Sequence, residues 1–215
     1  MSIARSESVV RFANLATVYC DLLESRPLSR KKLLREAGYI LPELLAAALK
    51  LPVGRESKRI SRELRQRSYE IGDTSWDVPK GPKARSSHRY DHTFISIKQY
   101  FSLDKRLRRI LGKYDLYHEI FDPYRDVYPI RMTLACDLAE IWHNVKPELL
   151  LFRTGEETAM RHAVHRWGLN VRIHWGMNHC ADAMKAVYFA LTDSDDYWNI
   201  PHLERERTRR RRKKK

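Results

Sequence analysis

Glu140 and His143 stand three residues apart in CDLAEIWHNVK, residues 136–146. Glu-x-x-His is the step by which helical bundles hold carboxylate-bridged pairs of metal ions. That chemistry needs the step twice, with two further glutamates facing inward, and the chain holds it once. Helical phase also turns the pair away from the core. With about 100° between successive residues, the apolar stripe centres on Leu134, Leu138 and Val145. Glu140 and His143 fall more than a quarter-turn from it. They read as a polar pair facing solvent or a neighbouring helix.

Histidines gather in the last helical stretch, at His162, His165, His174 and His179. On an α-helix His162 and His165 share a face, His174 lies opposite His165, and His179 returns toward the His165 face four turns on. One helix of that phase cannot bring the four to a single ion, whose ligands must converge on one point. No metal, cofactor or catalytic residue is therefore expected. His174 and Asn178 fall on a stripe with Trp167, Val171 and Met184, and Asp137 and Asn144 flank the core stripe of the facing helix. Buried polar groups need partners. A His174–Asp137 or Asn178–Asn144 contact would supply them, as a bond fixing helix register or as a small polar pocket around a tuned histidine.

Phosphate cradles are missing from the sequence. It has no GxxxxGK[ST], no GxGxxG and no GxSxG, and only eight glycines. Charge is the stronger signal. The net charge is +14, and two segments hold nearly all of it. Residues 204–215 carry nine basic and two acidic groups, and residues 55–90 carry ten and five. The remaining body is close to neutral. The tail cations are Arg205, Arg207, Arg209, Arg210, Arg211, Arg212, Lys213, Lys214 and Lys215. No core can absorb that run, because unpaired charges are costly to bury. In the second segment Arg55, Lys58, Arg59, Arg62 and Arg65 share one helical face. Tyr69, Trp76, His88 and Tyr90 are interleaved with cations further along. Cations for phosphates beside rings for bases suit single strands or RNA.

The elements that must position these groups are helices. Apolar residues recur at three- and four-residue steps through Glu7–Glu24, with Val9, Phe12, Ala16, Tyr19 and Leu23 on the stripe. Ser29 caps a second helix that ends near Pro52 and is kinked or broken at Pro42. Residues 54–91 read as a short charged helix and an exposed loop. Order returns at His92, with Ser102 or Asp104 capping a further segment, and LYHEIF forms an apolar turn. Pro129 opens the next helix. Thr154-Gly-Glu-Glu157 forms a capping box that opens the longest stretch, Glu156 to Leu191, which Gly168 and Gly176 could divide. No strand pattern and no repeat is present. The expected architecture is all-α: an antiparallel helical bundle in one domain, residues 1–192, with an acidic-then-basic and disordered tail at 193–215.

Cys20, Cys136 and Cys180 are odd in number, lack a CxxC and lie in apolar helical stretches, as reduced buried thiols do. The N-terminus lacks a secretory h-region, and no apolar run approaches the length of a membrane span. A cytoplasmic protein is the expectation.

Five blocks carry a family resemblance: VVRFANLATVYCDLLE (9–24), LPELLAAALKLP (41–52), DLYHEIFDP (115–123), CDLAEIWHNVK (136–146) and HWGMNHCADAMKAVY (174–188). In this order the chain resembles a bacterial family known as domain-of-unknown-function family 5063, over roughly residues 9–191. The resemblance implies an all-helical domain and no particular activity. The family pattern favours Asp-Ile-Tyr-Gln-Asp where this chain has Glu140-Ile141-Trp142-His143-Asn144. The basic loop and tail look like additions to the family core.

The reading that follows is a non-enzymatic protein that binds nucleic acid, RNA before a specific DNA site. The tail cations contact phosphates, and Arg59, Arg62 and Arg65 form a second patch. An acidic protein surface is the competing partner, with the bundle groove acting as an adaptor for a partner helix.

Overall fold

The computed structural model describes residues 6–52, 95–119 and 128–192. The basic loop with Arg59, Arg62 and Arg65, and the tail from residue 193 onward, lie outside the described residues. The predicted all-α class holds: among the described residues helices dominate, and one two-stranded antiparallel pair interrupts them.

Helix α1 covers Glu7–Glu24 and buries Val9, Phe12, Ala16, Tyr19, Cys20 and Leu23 along the expected stripe. Helix α2, Arg30–Leu49, starts where Ser29 accepts the Lys32 amide, and it runs unbroken through Pro42. Helix α3 covers Ile97–Leu111. Its cap is Ser96, whose hydroxyl accepts the Gln99 amide while Gln99 Oε1 accepts the Ser96 amide. Ser102 and Asp104 cap nothing here. They lie inside the helix, and Asp104 pairs with Arg108 one turn on, at 2.8 Å. The buried stripe is Tyr100, Leu103, Leu107 and Leu111, whereas Ile97 and Phe101 are exposed.

Leu116–Glu119 (β1) and Ile130–Thr133 (β2) pair antiparallel, with Leu116 opposite Thr133 and Glu119 opposite Ile130. Pro129 therefore precedes a strand rather than opening a helix. Helix α4, Leu134–Phe152, begins only after it. Asp115 takes the capping role. Its carbonyl accepts the Leu134 amide at 2.8 Å, and its carboxylate accepts the Ala135 amide at 2.9 Å. A buried acid at the positive end of a helix satisfies donors that have no partner within the helix.

Helix α4 is the central element. It packs against α1, α3 and the whole final helical stretch. Tyr19 of α1 is fully buried and donates to the Leu138 carbonyl at 2.7 Å. Trp167 donates to the Val145 carbonyl at 3.1 Å, with the Phe12 ring edge-on to it at 4.9 Å.

The final stretch is continuous from Glu157 to Thr192 but changes its winding. Helix α5 is Glu157–Asn170, a π-helical segment spans Val171–Cys180, and α6 is Ala181–Thr192. The capping box expected at Thr154 does not form. The Thr154 hydroxyl donates to the Leu151 carbonyl at 2.8 Å, so it finishes α4, and Gly155 turns the chain with φ +73°. Gly168 and Gly176 do not divide the stretch. Gly176 permits the π turn instead: a Cβ there would fall on the Val171 carbonyl oxygen five residues back. The carbonyl carbon would lie at 3.1 Å and Val171 Cγ2 at 2.9 Å.

Candidate functional site

Helix spacing brings Cys136, Asp137, Glu140, His143 and Asn144 to adjoining lines of one α4 face, with Glu140 at the centre. Three elements close over this face: α3 on one side, the π segment on the other, and β1 at the end.

From α3, the Tyr100 hydroxyl reaches Glu140 and lies 3.7 Å from Cys136 Sγ. Its ring meets the His143 ring edge-on at 5.4 Å. Burial, then the bond to Glu140, raises the Tyr100 phenol above its ordinary value, so it stays a donor. Glu140 and His143 therefore flank Tyr100 rather than pairing with each other. Strand β1 alternates sides, so Tyr117 and Glu119 face the same way. Tyr117 donates to Asp137 Oδ2 at 2.5 Å, and Glu119 accepts Lys185 of α6 at 2.6 Å.

Asp137 is fully buried, and its other oxygen meets His179 Nδ1 at 3.0 Å. Burial pushes the Asp137 carboxyl up, and the bonds from His179 and Tyr117 pull it back. His174 Nε2 faces Glu140 Oε2 at 3.8 Å. Burial, then the neighbouring His179, lowers the His174 imidazole, and Glu140 opposes them. Asp182 completes the group: burial, with Glu119 and Asp137 nearby, pushes it up to about 6.

The four residues expected to form a polar pocket divide as follows. Asp137 and His174 come to the same face, but the imidazole on Asp137 is that of His179. The Asn144 amide donates to the Glu140 carbonyl within its own helix, at 2.9 Å. Asn178 is half-buried on the π segment.

His179 was the residue that α-helical phase missed. Five α-helical residues turn about 140° past a full turn, which separates positions 174 and 179. A π turn closes on i+5 instead. Here the two rings sit 5.0 Å apart, edge to face. The one local signal was Gly176 between them. Among the described residues, Glu140, His174 and His179 place their ligand atoms within 4.8 Å of one another.

A second feature lies at the far end of the final stretch. Arg172 donates to the carbonyls of Leu49 and Leu51, Cys180 Sγ approaches the Leu41 carbonyl, and Leu191 packs against Gly38. Helix α6 thus runs antiparallel to α2, with Leu191 against Gly38 and the start of α2 about two turns further on. Arg30, Lys31, Lys32 and Arg35 are exposed there, and no acid stands in the first turn. The Arg30 guanidinium lies 5.1 Å from the Tyr114 ring centroid, and Lys113 Nζ lies 4.7 Å from it.

Comparison with solved structures finds the same fold in protein BF1032 from Bacteroides fragilis. The TM-score is 0.65 at 21% identity, over 90% of this chain and 98% of that one. No curated protein matches the chain. The family pattern for the domain of unknown function DUF5063 matches residues 82–193. That span runs through α3, the strand pair, α4 and the whole final helical stretch, and so contains every side chain of the polar face just described. The sequence blocks at 9–24 and 41–52 fall outside the match, in the two helices that pack behind it. With more than half its length matched, the chain belongs to the DUF5063 family.

Proposed function

We propose that the protein is a non-enzymatic binder of nucleic acid, RNA in preference to a specific DNA site, through its basic tail and basic loop. The observation that carries this reading is the placement of charge. Residues 204–215 and 55–90 hold nearly all of the net +14, on a body close to neutral. That is an electrostatic footprint rather than a general cationic character.

The described residues lend support at one end of the bundle. The chain leaves them at Thr192, beside the half of α2 that begins Arg30-Lys31-Lys32. From Gly38 to Arg30 is about 12 Å along the helix axis at 1.5 Å per residue. Three cations at the positive end of a helix repel its dipole. An anion there relieves that repulsion. The body thus offers exposed cations of its own on α2, in the same half of that helix that Leu191 packs against. Tyr114, under Arg30 and Lys113, sets an aromatic ring among these cations. RNA is favoured because the sequence has no helix-turn-helix to read base edges.

Purification at low salt tests this. The protein should carry nucleic acid, seen as a raised ratio of absorbance at 260 nm to that at 280 nm, which nuclease lowers. A ratio set by protein alone from the start contradicts the proposal.

A further inference from the structure

We infer that Glu140, His174 and His179 form a binding site for one divalent transition-metal ion of the zinc type, with a coordination position open to solvent. This inference rests on side chains far in sequence from the basic tail and does not depend on the nucleic-acid reading.

The donor set has the right chemistry. Two imidazoles and one carboxylate are a recurrent three-residue set for zinc and for non-haem iron, and they leave room for water or a substrate oxygen. The ligand atoms lie within 4.8 Å of one another, and His174 Nε2 is 3.8 Å from Glu140 Oε2. Tetrahedral bonds of about 2.0–2.1 Å place ligand atoms about 3.3 Å apart. The three side chains therefore need to close by roughly 0.5–1.5 Å, which side-chain torsions supply without moving the helices. All three are partly open: the side chains of His174, Glu140 and His179 are 30%, 25% and 14% exposed.

The surrounding groups are those that metal-binding histidines and carboxylates use. Asp137, wholly buried, engages His179 Nδ1 at 3.0 Å and leaves Nε2 for an ion. A carboxylate behind a histidine fixes its tautomer and orientation and strengthens it as a ligand. Tyr117 holds the other Asp137 oxygen at 2.5 Å, so this support is itself anchored. Tyr100 performs the same service for Glu140. The π turn is what brings the two imidazoles together, and π bulges are frequent at functional sites.

The full chain, stripped with chelator and dialysed, should be titrated with Zn²⁺ by calorimetry, and with Co²⁺ while recording its visible absorption. Expected is one ion per chain, with cobalt bands that Zn²⁺ displaces. His174→Ala and His179→Ala should each weaken binding at least about 100-fold. Glu140→Gln keeps the shape of the side chain and should weaken it by about tenfold or more. Asp137→Asn should weaken it about 10–100-fold, as for other residues that support a ligand. His143→Ala and deletion of residues 204–215 should leave it unchanged within about threefold. Far-ultraviolet circular dichroism of each variant separates lost ligands from lost folding. No stoichiometric binding of either ion overturns the site. So does binding that survives Glu140→Gln and both histidine variants.

Discussion

Replacing Gly176 by alanine sets two physical effects against each other with opposite signs. In an ordinary helix interior, glycine to alanine stabilises by up to about 1 kcal/mol, because glycine loses more backbone freedom on folding. Here the new Cβ would land on the Val171 carbonyl oxygen and within 2.9 Å of Val171 Cγ2. The obstacle is backbone, so a side-chain rotation cannot remove it. Relief requires the segment to rewind as α-helix. Rewinding turns α6 relative to its neighbours and disturbs the burial of Ala183, Ala186 and Val187. Exposing one valine alone costs about 1.5–3 kcal/mol. The expected net result is a loss of about 2 kcal/mol, or roughly 4–8 °C in Tm for a chain of this size. Thermal melts followed at 222 nm measure it. The same variant should separate His174 from His179 and so weaken metal binding. A Tm equal to or above the parent's would refute the π-segment reasoning, because propensity alone would then account for the result.

Asp182→Asn should alter the pH dependence of stability. Asp182 is pushed up to about 6 in the fold by burial, Glu119 and Asp137, against Lys185 and His179, from 3.8 as a free side chain. Between pH 4 and 6 the unfolded chain has lost this proton while the folded chain keeps it, so stability falls as pH rises through that window. The variant should therefore be the more stable protein above pH 6, with the gap closing toward pH 4. A gap independent of pH in chelator-containing buffer would contradict it. Tyr19→Phe removes the buried hydroxyl bond to Leu138 and should cost about 1 kcal/mol, or about 2–4 °C. An unchanged melting temperature would show that this bond adds nothing net.

Local pattern determined much of the fold. Glu7–Glu24 was legible to the residue, because its stripe is regular and Pro27 follows closely. Ser29 was legible because an N-cap is a short-range bond. Misreadings arose where a distant or competing partner decides. Thr154 has two local options, and its hydroxyl takes the Leu151 carbonyl. Four-residue strands such as LYHE and IRMT carry no usable period, and Asp115 reaches past them to cap α4. The site was half legible. Asp137, Glu140 and His174 were singled out, but the phase that joins His174 to His179 belongs to a π turn, and periodicity arithmetic assumes an α-helix. Glu140 read as a polar pair with His143 because its neighbours in the fold, Tyr100 and His174, come from other elements.

Nucleic-acid binding by the basic tail is tested most directly by its salt dependence. Fluorescence anisotropy of a labelled single-stranded RNA should be titrated across a range of salt, with the full chain and with a chain lacking residues 204–215. Each phosphate contact on a single strand contributes about 0.7 to the slope of log affinity against log salt. The nine tail cations can therefore contribute up to about 6. The shortened chain should bind more weakly, with a slope shallower by at least about 2, from three or more lost contacts. Equal affinity with an equal slope would contradict it.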